Sequence, residues 1–434
     1  MCEVMVNKKP VWYEMDATKD MMSFMGGKAL RGIMNNFISN RIYAGTAALF
    51  MVKNYLKATI KKEERKALLI TDEFTKRFTK RVIKYLDLIE FEYKIWSGVK
   101  TEAPLPTVKE GVKICEEFKP KVIIAIGGGS VLDTSKMVLI KYEKPRMNLH
   151  MLLPYVSEIG LRKKIKYLIA IPTTSGTGSE VTQAAVATDV SRNPPKKLEV
   201  INSEIVPDIV VLDTDFVKNL PPFLTMATGL DAFSHSIGSY VSNWDNPILD
   251  AINIKAIREI LQFLPRAVKY GKEDLEARRH MQWAATMAGL GFSNTVAGID
   301  HALGHSFGKL FSVHHGLSVG LFTPYAVQFQ AKITDRWKDL CPLFGVKDNK
   351  KSRDSLLKEL IAQMKEFIRS IDGSTSIKEI QKPEISKKDY FEKLDLIAKY
   401  AYNDAASITS FRPIDLSGYK KIFEYAWDGK NIDF

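Results

Sequence analysis

The chain has 434 residues, of which 45% are hydrophobic and 26% charged, and this predicts an ordinary globular protein of about two or three domains. Its cysteines, Cys2, Cys115 and Cys341, are too few and too widely spaced for a disulfide framework or a cysteine-based zinc site, and they are typical of a reducing compartment. No apolar run reaches the ~18 residues of a membrane span, and the first residues lack the order of a signal peptide. We therefore expect a cytoplasmic protein with no membrane partner.

The formal net charge of +13 raises the question of an anionic partner, because a basic surface attracts nucleic acid and anionic lipid. The lysines are mixed with acidic residues, as in KKEERK (61–66), and no basic stripe interleaved with aromatic residues occurs. We therefore expect a solvated, lysine-rich surface and no nucleic-acid partner. A positive field would also favour an anionic cofactor.

Apolar runs alternate with amphipathic segments through the first half of the chain. The runs that predict buried strands are KALLITD (66–72), KVIIAIGGG (121–129), KYLIAIPTTSG (166–176) and DIVVLDTD (208–215). Between them, segments such as 75–87 and 106–119 have the periodicity of helices. This alternation predicts a parallel sheet covered by helices on both faces.

The second half of the chain has long helical periodicity and few β-branched runs. Residues 246–271 and 278–294 are plain examples of predicted helices. We therefore predict an α/β domain over residues 1–217 and an all-helical domain over residues 218–434. Residues 1–40 form an N-terminal extension to which the pattern assigns no role. A cleft between two such domains is the usual place for a ligand.

Three glycines, Gly127, Gly128 and Gly129, end a predicted strand and precede a helix. They allow the backbone to approach a ligand closely and tolerate positive φ, and the start of the following helix offers N–H groups and a positive dipole end that suit a phosphate. Ser130 can cap the helix or donate a hydrogen bond. The spacing is not that of the GxGxxG fingerprint. A tight turn without a ligand is the alternative, but three glycines are costly in a mere turn, so we favour phosphate binding.

A second strand runs into a loop rich in hydroxyl groups, IPTTSGTGSEVTQAAVATD (171–189), which contains Thr173, Thr174 and Thr177. Alone this loop could be a solvated turn. Two such loops on one parallel sheet support each other, because ligands bind at the carboxyl ends of the strands. Asp72 also ends a strand, where a carboxylate can accept the hydroxyls of an adenosine ribose and repel a 2′-phosphate. The alternative for Asp72 is a helix N-cap.

Histidines concentrate in residues 298–316, which hold four of the seven in the chain: His301, His305, His314 and His315. Asp231 and His235 are four positions apart and would share one helix face, as would His301 and His305. Three histidines with one aspartate suit Fe²⁺ or Zn²⁺. A single histidine is more often a hydrogen-bonded core residue, but these motifs together favour a metal site. The spacing leaves open which of these residues bind the ion.

Four motifs, AIGGGSVLDTSK, IPTTSGTGSEVT, TGLDAFSH and HALGHSFGKLFSVHHG, resemble in order and spacing the iron-containing (group III) alcohol dehydrogenases. The resemblance runs from about Gly45 to Gly429. It implies an α/β N-terminal domain with a parallel, Rossmann-like sheet of the dehydroquinate-synthase-like type, followed by an all-α C-terminal metal-binding domain.

The resemblance also implies a metal centre. The metal ligands of the family fall on Asp231, His235, His301 and His315. His314 is then not a ligand. His305 falls on a histidine near the nicotinamide and the substrate, outside the ligand set, and is a candidate for proton relay, with a structural hydrogen-bonding role as the alternative.

For the cofactor, NAD, the resemblance implies a set of binding residues at the strand ends and in the loops that follow them. They are Asp72, Gly127, Gly128, Gly129, Ser130, Asp133, Thr173, Thr174, Thr177 and Lys197. Lys196 is a rival for the position of the lysine. Asp72 falls where the family has a carboxylate that selects NAD.

The implied function is a metal-dependent, NAD(H)-linked alcohol dehydrogenase or aldehyde reductase. A hydride is transferred reversibly between a primary alcohol and the nicotinamide, and Fe²⁺ or Zn²⁺ acts as a Lewis acid. His301 and His315 would take part in catalysis through the metal, and His305 directly. The family also suggests a homodimer or a larger homo-oligomer. The alternatives are a polyol or lactaldehyde oxidoreductase of the same family, a non-redox NAD- and metal-dependent lyase on the same scaffold, and a metal-dependent binding protein without turnover.

Three features depart from the family pattern. Gly238 stands where many members have glutamate, three residues after the predicted ligand His235. The segments 141–164 and 331–388 are longer than in compact members. None of these departures removes a predicted ligand, but all three bear on which substrate is bound.

Overall fold

The computed structural model describes residues 11, 15, 40–152, 158–192, 195–242, 244, 246–295 and 297–434. The chain forms two compact units. We call Asn40–Thr173 with Thr182–Leu212 the sheet unit, and Thr174–Val181 with Asp213–Phe434 the helical unit. The predicted extension over residues 1–40 lies almost entirely outside the described residues.

The sheet unit is built on a parallel sheet. Its strands are β1 Arg41–Ala44, β2 Lys66–Thr71, β3 Glu92–Trp96, β4 Val122–Gly127, β5 Tyr167–Pro172, β6 Ala184–Asp189, β7 Lys196–Ile201 and β8 Ile209–Leu212. Its helices are α1 Ala48–Thr59, α2 Thr79–Asp87, α3 Leu105–Phe118 and α4 Gly129–Glu143. Six strands form one sheet in the order β1-β8-β5-β4-β2-β3, with every pair parallel. The predicted α/β fold with a parallel sheet is confirmed, and β6 and β7 form a separate antiparallel pair.

The central strands are the ones that the sequence marks most strongly. All six residues of β4 are buried, as are five of the six in β5. A strand covered on both faces loses the alternation of apolar and polar residues and becomes a continuous apolar run. The edge strand β3 is mostly exposed, and no strand was predicted there.

Strands β2, β4 and β5 are neighbours, so the residues that follow them emerge at one edge of the sheet. The Thr71 hydroxyl at the end of β2 donates to the Ile126 carbonyl in β4, at 2.8 Å. The amide of Thr173, after β5, donates to the carbonyl of Gly127 at 3.0 Å. These bonds fix the strand ends that carry Asp72, the glycine triplet and Thr173.

The helical unit contains nine α-helices among its described residues. They are α5 Pro222–Tyr240, α6 Pro247–Tyr270, α7 Leu275–Ser293, α8 Ile299–Phe311, α9 His315–Gln330, α10 Arg353–Ser370, α11 Lys387–Glu392, α12 Leu394–Tyr402 and α13 Leu416–Asp428. Every residue of α5 from position 225 to 240 is buried, so polar side chains on this helix lie in the interior. Among the described helices, none combines the length and the apolar character that crossing a membrane requires.

The loop 174–181 belongs to the helical unit although it follows a strand of the sheet unit. The buried carboxylate of Glu180 accepts a hydrogen bond at 2.7 Å from the hydroxyl of Thr286, which lies on α7. The chain therefore changes unit at residues 173/174, 181/182 and 212/213. The sequence predicted one boundary, at 217/218.

Two glutamates fix part of the segment 141–164, whose residues 153–157 lie outside the described part of the chain. The carboxylate of Glu204 accepts hydrogen bonds from the backbone amides of residues 159–161. The carboxylate of Glu143 accepts those of residues 163–165, at 2.9–3.2 Å. Burial raises the pKa of Glu204, but the three amides outweigh burial and lower it overall.

We expect Glu204→Gln to lower the free energy of unfolding at pH 7 by about 1 kcal/mol, because the neutral amide accepts these hydrogen bonds more weakly. A carboxylate with a lowered pKa in the folded state contributes stability above its unfolded pKa and loses it as the pH falls through the folded pKa. The variant should therefore lose less stability than the wild type on acidification below about pH 4.3. Urea unfolding at several pH values measures both effects, and parallel curves for the two proteins would contradict them.

Candidate active site

Three helices of the helical unit carry the predicted metal ligands. Asp231 and His235 lie one turn apart on α5, and His301 and His305 lie one turn apart on α8. His315 is the first residue of α9. The i, i+4 spacings found in the sequence thus become pairs of side chains on one helix face.

Nitrogen and oxygen atoms of these residues converge. The ligand atoms of Asp231, His301 and His315 all lie within 4.8 Å of one another. Oδ1 of Asp231 is 3.1 Å from Nε2 of His315 and 3.7 Å from Nε2 of His301. Nδ1 of His235 lies 3.8 Å from the same oxygen. Ligands bound at about 2.0–2.1 Å to a tetrahedral divalent cation are roughly 3.4 Å apart, so the separations within the group of Asp231, His301 and His315 suit one ion. His235 approaches the Asp231 oxygen but is not part of that group.

Burial makes this arrangement costly without a cation. Asp231 and His301 are each 2% exposed, and His235 is 4% exposed. Among the described residues, Oδ1 of Asp231, Nδ1 of His235 and both ring nitrogens of His301 have no hydrogen-bond partner. Buried polar atoms without partners are unfavourable, and a cation would satisfy the oxygen and one nitrogen of each ring.

The charges of the site also favour a cation. Burial lowers the pKa of His235 to about 3, so its imidazole is neutral at pH 7, which is the form that binds a metal. Burial also lowers the pKa of His301, but the carboxylates of Asp300 and Asp231 outweigh burial and raise it to about 10. Without a metal the His301 ring therefore carries the positive charge that balances these carboxylates, and a bound cation would take over that charge and displace the proton from the ring. The donor set fits a borderline divalent cation such as Fe²⁺ or Zn²⁺.

The two remaining histidines of this stretch make other contacts. Nδ1 of His305 lies 3.0 Å from Oδ2 of Asp404, and this contact orients the imidazole ring. The ring of His305 stacks beside that of His315, with the centroids 5.1 Å apart. His314 caps α9, because its Nδ1 accepts the amide hydrogen of Gly316 at 3.3 Å.

The glycine triplet lies between β4 and α4, with Gly128 as the N-cap of the helix. Glycine tolerates positive φ, but none of Gly127, Gly128 and Gly129 adopts it here. Gly127 is needed for packing inside the protein, because a Cβ atom on it would lie 2.4 Å from the Val131 side chain. The close approach of a phosphate to this backbone stays a prediction.

Three other predicted cofactor residues of the sheet unit contact neighbouring protein groups. The hydroxyl oxygen of Ser130 accepts a hydrogen bond from the amide of Glu102 at 3.1 Å. Lys197, on β7, has its Nζ 4.0 Å from a carboxylate oxygen of Glu102. Asp72 accepts the amide hydrogen of Thr75 at 2.8 Å, which closes the turn after β2. It is not the helix N-cap that was the alternative for this residue, since the N-cap of the 3-10 helix that follows is Thr75. The bond to Thr75 leaves the other carboxylate oxygen for a ligand.

Asp133 and Lys136, one turn apart on α4, hold the start of β6. Oδ2 of Asp133 accepts the amide hydrogen of Val186 at 3.1 Å. Lys136 is fully buried, and its Nζ donates to the carbonyl and hydroxyl oxygens of Thr182 at 2.9 and 3.0 Å and to the carbonyl of Ala184 at 2.6 Å. An ammonium group has three donors, and all three are used here.

Thr174 and Thr177, the remaining predicted cofactor residues, belong to the helical unit. The hydroxyl oxygen of Thr177 accepts the amide hydrogen of Ser179 at 3.3 Å. Thr174 is half-buried. Their predicted contacts with NAD remain predictions.

Two carboxylates of this site were missed in the sequence. Asp300 directly precedes the HxxxH motif in an apolar stretch, and an acidic residue in that position is a signal that could have been used. Asp404 lies 99 positions after His305, and nothing in the spacing relates the two.

Comparison with known proteins identifies the family. The family model for iron-containing alcohol dehydrogenase matches residues 39–214, and the model for the C-terminal part of the Fe-containing alcohol dehydrogenase family matches residues 225–427. The chain is 33% identical over 396 residues to an NADPH-dependent butanol dehydrogenase of Clostridium saccharobutylicum, covering 91% of this chain and 98% of the relative. It is 30% identical over 367 residues to an NAD-dependent methanol dehydrogenase of Bacillus methanolicus, covering 83% and 92%.

A solved structure gives the same result. The alcohol dehydrogenase from Oenococcus oeni superimposes with a TM-score of 0.82 at 28% identity, covering 91% of this chain and 100% of that structure. The fold of the helical and sheet units, the two family models and the identity over nearly whole chains all agree. The chain therefore belongs to the iron-containing alcohol dehydrogenase family, and it is an alcohol dehydrogenase, an oxidoreductase enzyme.

Proposed function

We propose that this enzyme transfers hydride reversibly between a primary alcohol and NAD(H), with one divalent cation held by Asp231, His235, His301 and His315. The observation that carries the proposal is the convergence of a buried carboxylate oxygen and imidazole nitrogens at 3.1–3.8 Å in the helical unit. Two relatives are named for short primary alcohols, a butanol dehydrogenase and a methanol dehydrogenase, and this supports a small alcohol or its aldehyde as the substrate.

When bound, a divalent cation supplies a Lewis acid that lowers the pKa of the alcohol oxygen, and the nicotinamide supplies the hydride acceptor. The task of the protein is to hold these groups and to keep their surroundings dry. The ring of His235 stacks on Phe292 on one side, with centroids 4.0 Å apart, and on His301 on the other, with centroids 4.4 Å apart. These contacts hold the imidazole in one orientation, and Phe292 covers it with apolar surface.

We assign His305 to the movement of the alcohol proton. Its Nδ1 faces Asp404, so the carboxylate favours the tautomer that carries hydrogen on Nδ1 and leaves Nε2 to accept a proton. The tautomer follows from the partner of Nδ1 rather than from an observed hydrogen.

The metal is proposed to be Fe²⁺, with Zn²⁺ as the alternative, because imidazole and carboxylate ligands suit both ions and the family is iron-containing. The sparse cysteines support a reducing cytoplasm as the location. We also propose a homo-oligomer, a dimer or larger, on the resemblance alone.

The test of the proposal is a direct assay of turnover. Protein purified without oxygen and loaded with Fe²⁺ should oxidise NADH in the presence of short aldehydes, measured as the loss of NADH absorbance. A sample loaded with Zn²⁺ and a sample stripped with a chelator serve as comparisons. Loaded protein that oxidises no NADH across a panel of short aldehydes, polyol aldehydes and lactaldehyde would contradict the proposal.

Asp72→Asn should raise the preference for NADP over NAD, expressed as the ratio of kcat/KM values, by about 10-fold. The asparagine oxygen can still accept the Thr75 amide hydrogen, while the negative charge that would repel a 2′-phosphate is lost. Asp87→Asn is the matched control, since it removes an exposed carboxylate of the same unit at the far end of α2. An unchanged ratio in folded Asp72→Asn would remove the assigned role.

A further inference from the structure

Asp300 is a fully buried carboxylate of α8 that neither the ligand set nor the cofactor set includes. Its Oδ2 accepts a hydrogen bond from the hydroxyl of Ser234 on α5. The hydroxyl of Thr323 on α9 in turn donates to the oxygen of Ser234 at 2.8 Å. Three helices therefore meet at this carboxylate through a short chain of hydroxyl groups.

The other oxygen of Asp300 points to a predicted metal ligand. Its Oδ1 lies 3.6 Å from Nδ1 of His301, and neither atom has a hydrogen-bond partner among the described residues. On the opposite edge of the same ring, Nε2 of His301 lies 3.7 Å from Oδ1 of Asp231. The imidazole thus lies between two carboxylates, one on each ring nitrogen.

Gly238 provides the space that Asp300 occupies. A Cβ atom on Gly238 would lie 3.0 Å from Oδ1 and 3.3 Å from Oδ2 of Asp300. Gly298 is closer still, since its Cβ would lie 2.6 Å from Oδ1 of Asp300. In this chain a carboxylate from α8 therefore fills a space that a side chain at position 238 of α5 would otherwise enter.

We infer that Asp300 is a positioning residue for the metal centre, and that it accepts the Nδ1 hydrogen of His301 and so directs Nε2 to the ion. The inference rests on the metal site of the proposed function. A metal-bound histidine commonly donates its second ring N–H to a carboxylate, which fixes the tautomer and makes the ligand nitrogen more basic. The bond needs a shortening of the 3.6 Å separation to the roughly 2.7–3.2 Å of an N–H···O hydrogen bond.

A purely structural role makes a different prediction. If Asp300 only joined three helices through Ser234 and Thr323, its loss would lower the stability of the metal-free protein and leave metal affinity unchanged. If it positions His301, metal affinity falls as well. The two roles therefore separate when affinity and stability are measured on the same variants.

The first test compares Asp300→Asn with Glu259→Gln. Glu259 is also a buried carboxylate of the helical unit, and it accepts hydrogen bonds from Lys255 and His280 rather than from a metal ligand. Zn²⁺ affinity is measured on the full chain by competition with a chromophoric chelator, and metal-free stability by urea unfolding. We expect Asp300→Asn to weaken Zn²⁺ binding by about 10–100-fold. Glu259→Gln should lower stability and leave Zn²⁺ affinity as in the wild type.

The second test keeps Asp300 and crowds it, in case Asp300→Asn does not fold. Gly238→Ala places a methyl group 3.0 Å from Oδ1 of Asp300 and should weaken Zn²⁺ binding. Gly418→Ala is the matched control, because its Cβ meets a carboxylate oxygen of Asp415 at 3.3 Å and Ile414 at 3.1 Å, away from the predicted ligands. It should leave Zn²⁺ affinity unchanged.

The inference is overturned if Asp300→Asn folds and binds Zn²⁺ as tightly as the wild type. If Asp300→Asn does not fold, the inference is overturned when folded Gly238→Ala binds Zn²⁺ as tightly as the wild type. These results differ from a failure of the proposed function. If the wild type itself retains no Zn²⁺ or Fe²⁺, the proposed metal ligands are wrong. If the wild type and the variants bind Zn²⁺ equally well, the proposed ligands stand and only the role of Asp300 is rejected.

Discussion

His301→Ala is expected to retain no metal and to have a kcat/KM at least about 1000-fold below that of the wild type. The imidazole of His301 lies between Asp231 and Asp300 and is 2% exposed, so water can replace its nitrogen only poorly. Loss of a Lewis acid removes several kcal/mol of transition-state stabilisation, and each ~1.4 kcal/mol is a factor of ten in rate. Elemental analysis after dialysis and NADH-dependent aldehyde reduction measure the two quantities.

His280→Ala is the control for this substitution. His280 is a partly exposed histidine of the same unit whose Nδ1 contacts Glu259, so its removal tests the loss of an imidazole without the loss of a predicted ligand. It should retain metal and activity. Full metal occupancy in folded His301→Ala would reject the ligand set.

Lys136→Met is expected to lower the free energy of unfolding by about 3 kcal/mol or more. The substitution removes an ammonium group that is fully buried and that satisfies three oxygen atoms of Thr182 and Ala184. It also leaves Asp133, whose Oδ1 lies 4.0 Å from Nζ, without its neighbouring cation. Methionine fills the volume of the side chain but restores none of these contacts. Urea unfolding of wild type and variant gives the difference.

Lys141→Met separates the effect of burial from that of the substitution itself. Lys141 lies on the same helix, and its Nζ donates to the backbone carbonyls of Pro145 and Met147, but its side chain is partly exposed. We expect a loss below about 1 kcal/mol, since water can take over these bonds. Equal losses in the two variants would show that the buried contacts of Lys136 contribute nothing of their own.

The sequence predicted the strands whose burial on both faces produces a continuous run of apolar residues. β4 and β5 were found because their residues are covered on both faces and form continuous apolar runs. The edge strand β1, with four residues, and the mostly exposed β3 give no such run and were missed. The antiparallel pair β6 and β7 was missed as well, because AAVATD and KKLEVI follow loop-like stretches and carry weak alternation.

In the candidate site, sequence spacing predicted the pairs of residues that share one helix face. It did not predict contacts that depend on packing between separate segments. Asp231 with His235, and His301 with His305, were found because they are four residues apart. Asp404 reaches His305 only because a distant segment packs against α8, and such a contact leaves no mark in local spacing. The roles of these residues remain predictions, and the substitutions above are their test.

The loop 174–181 has a consequence for how this enzyme can be recombined with its relatives. Its Glu180 is tied to Thr286 of α7, yet it lies within the sequence of the sheet unit. A chimera joined at the single junction 217/218 would therefore bring a foreign α7 against a native loop. Grafts that keep this contact need to carry residues 174–181 along with the segment from residue 213 onward, as a discontinuous cassette.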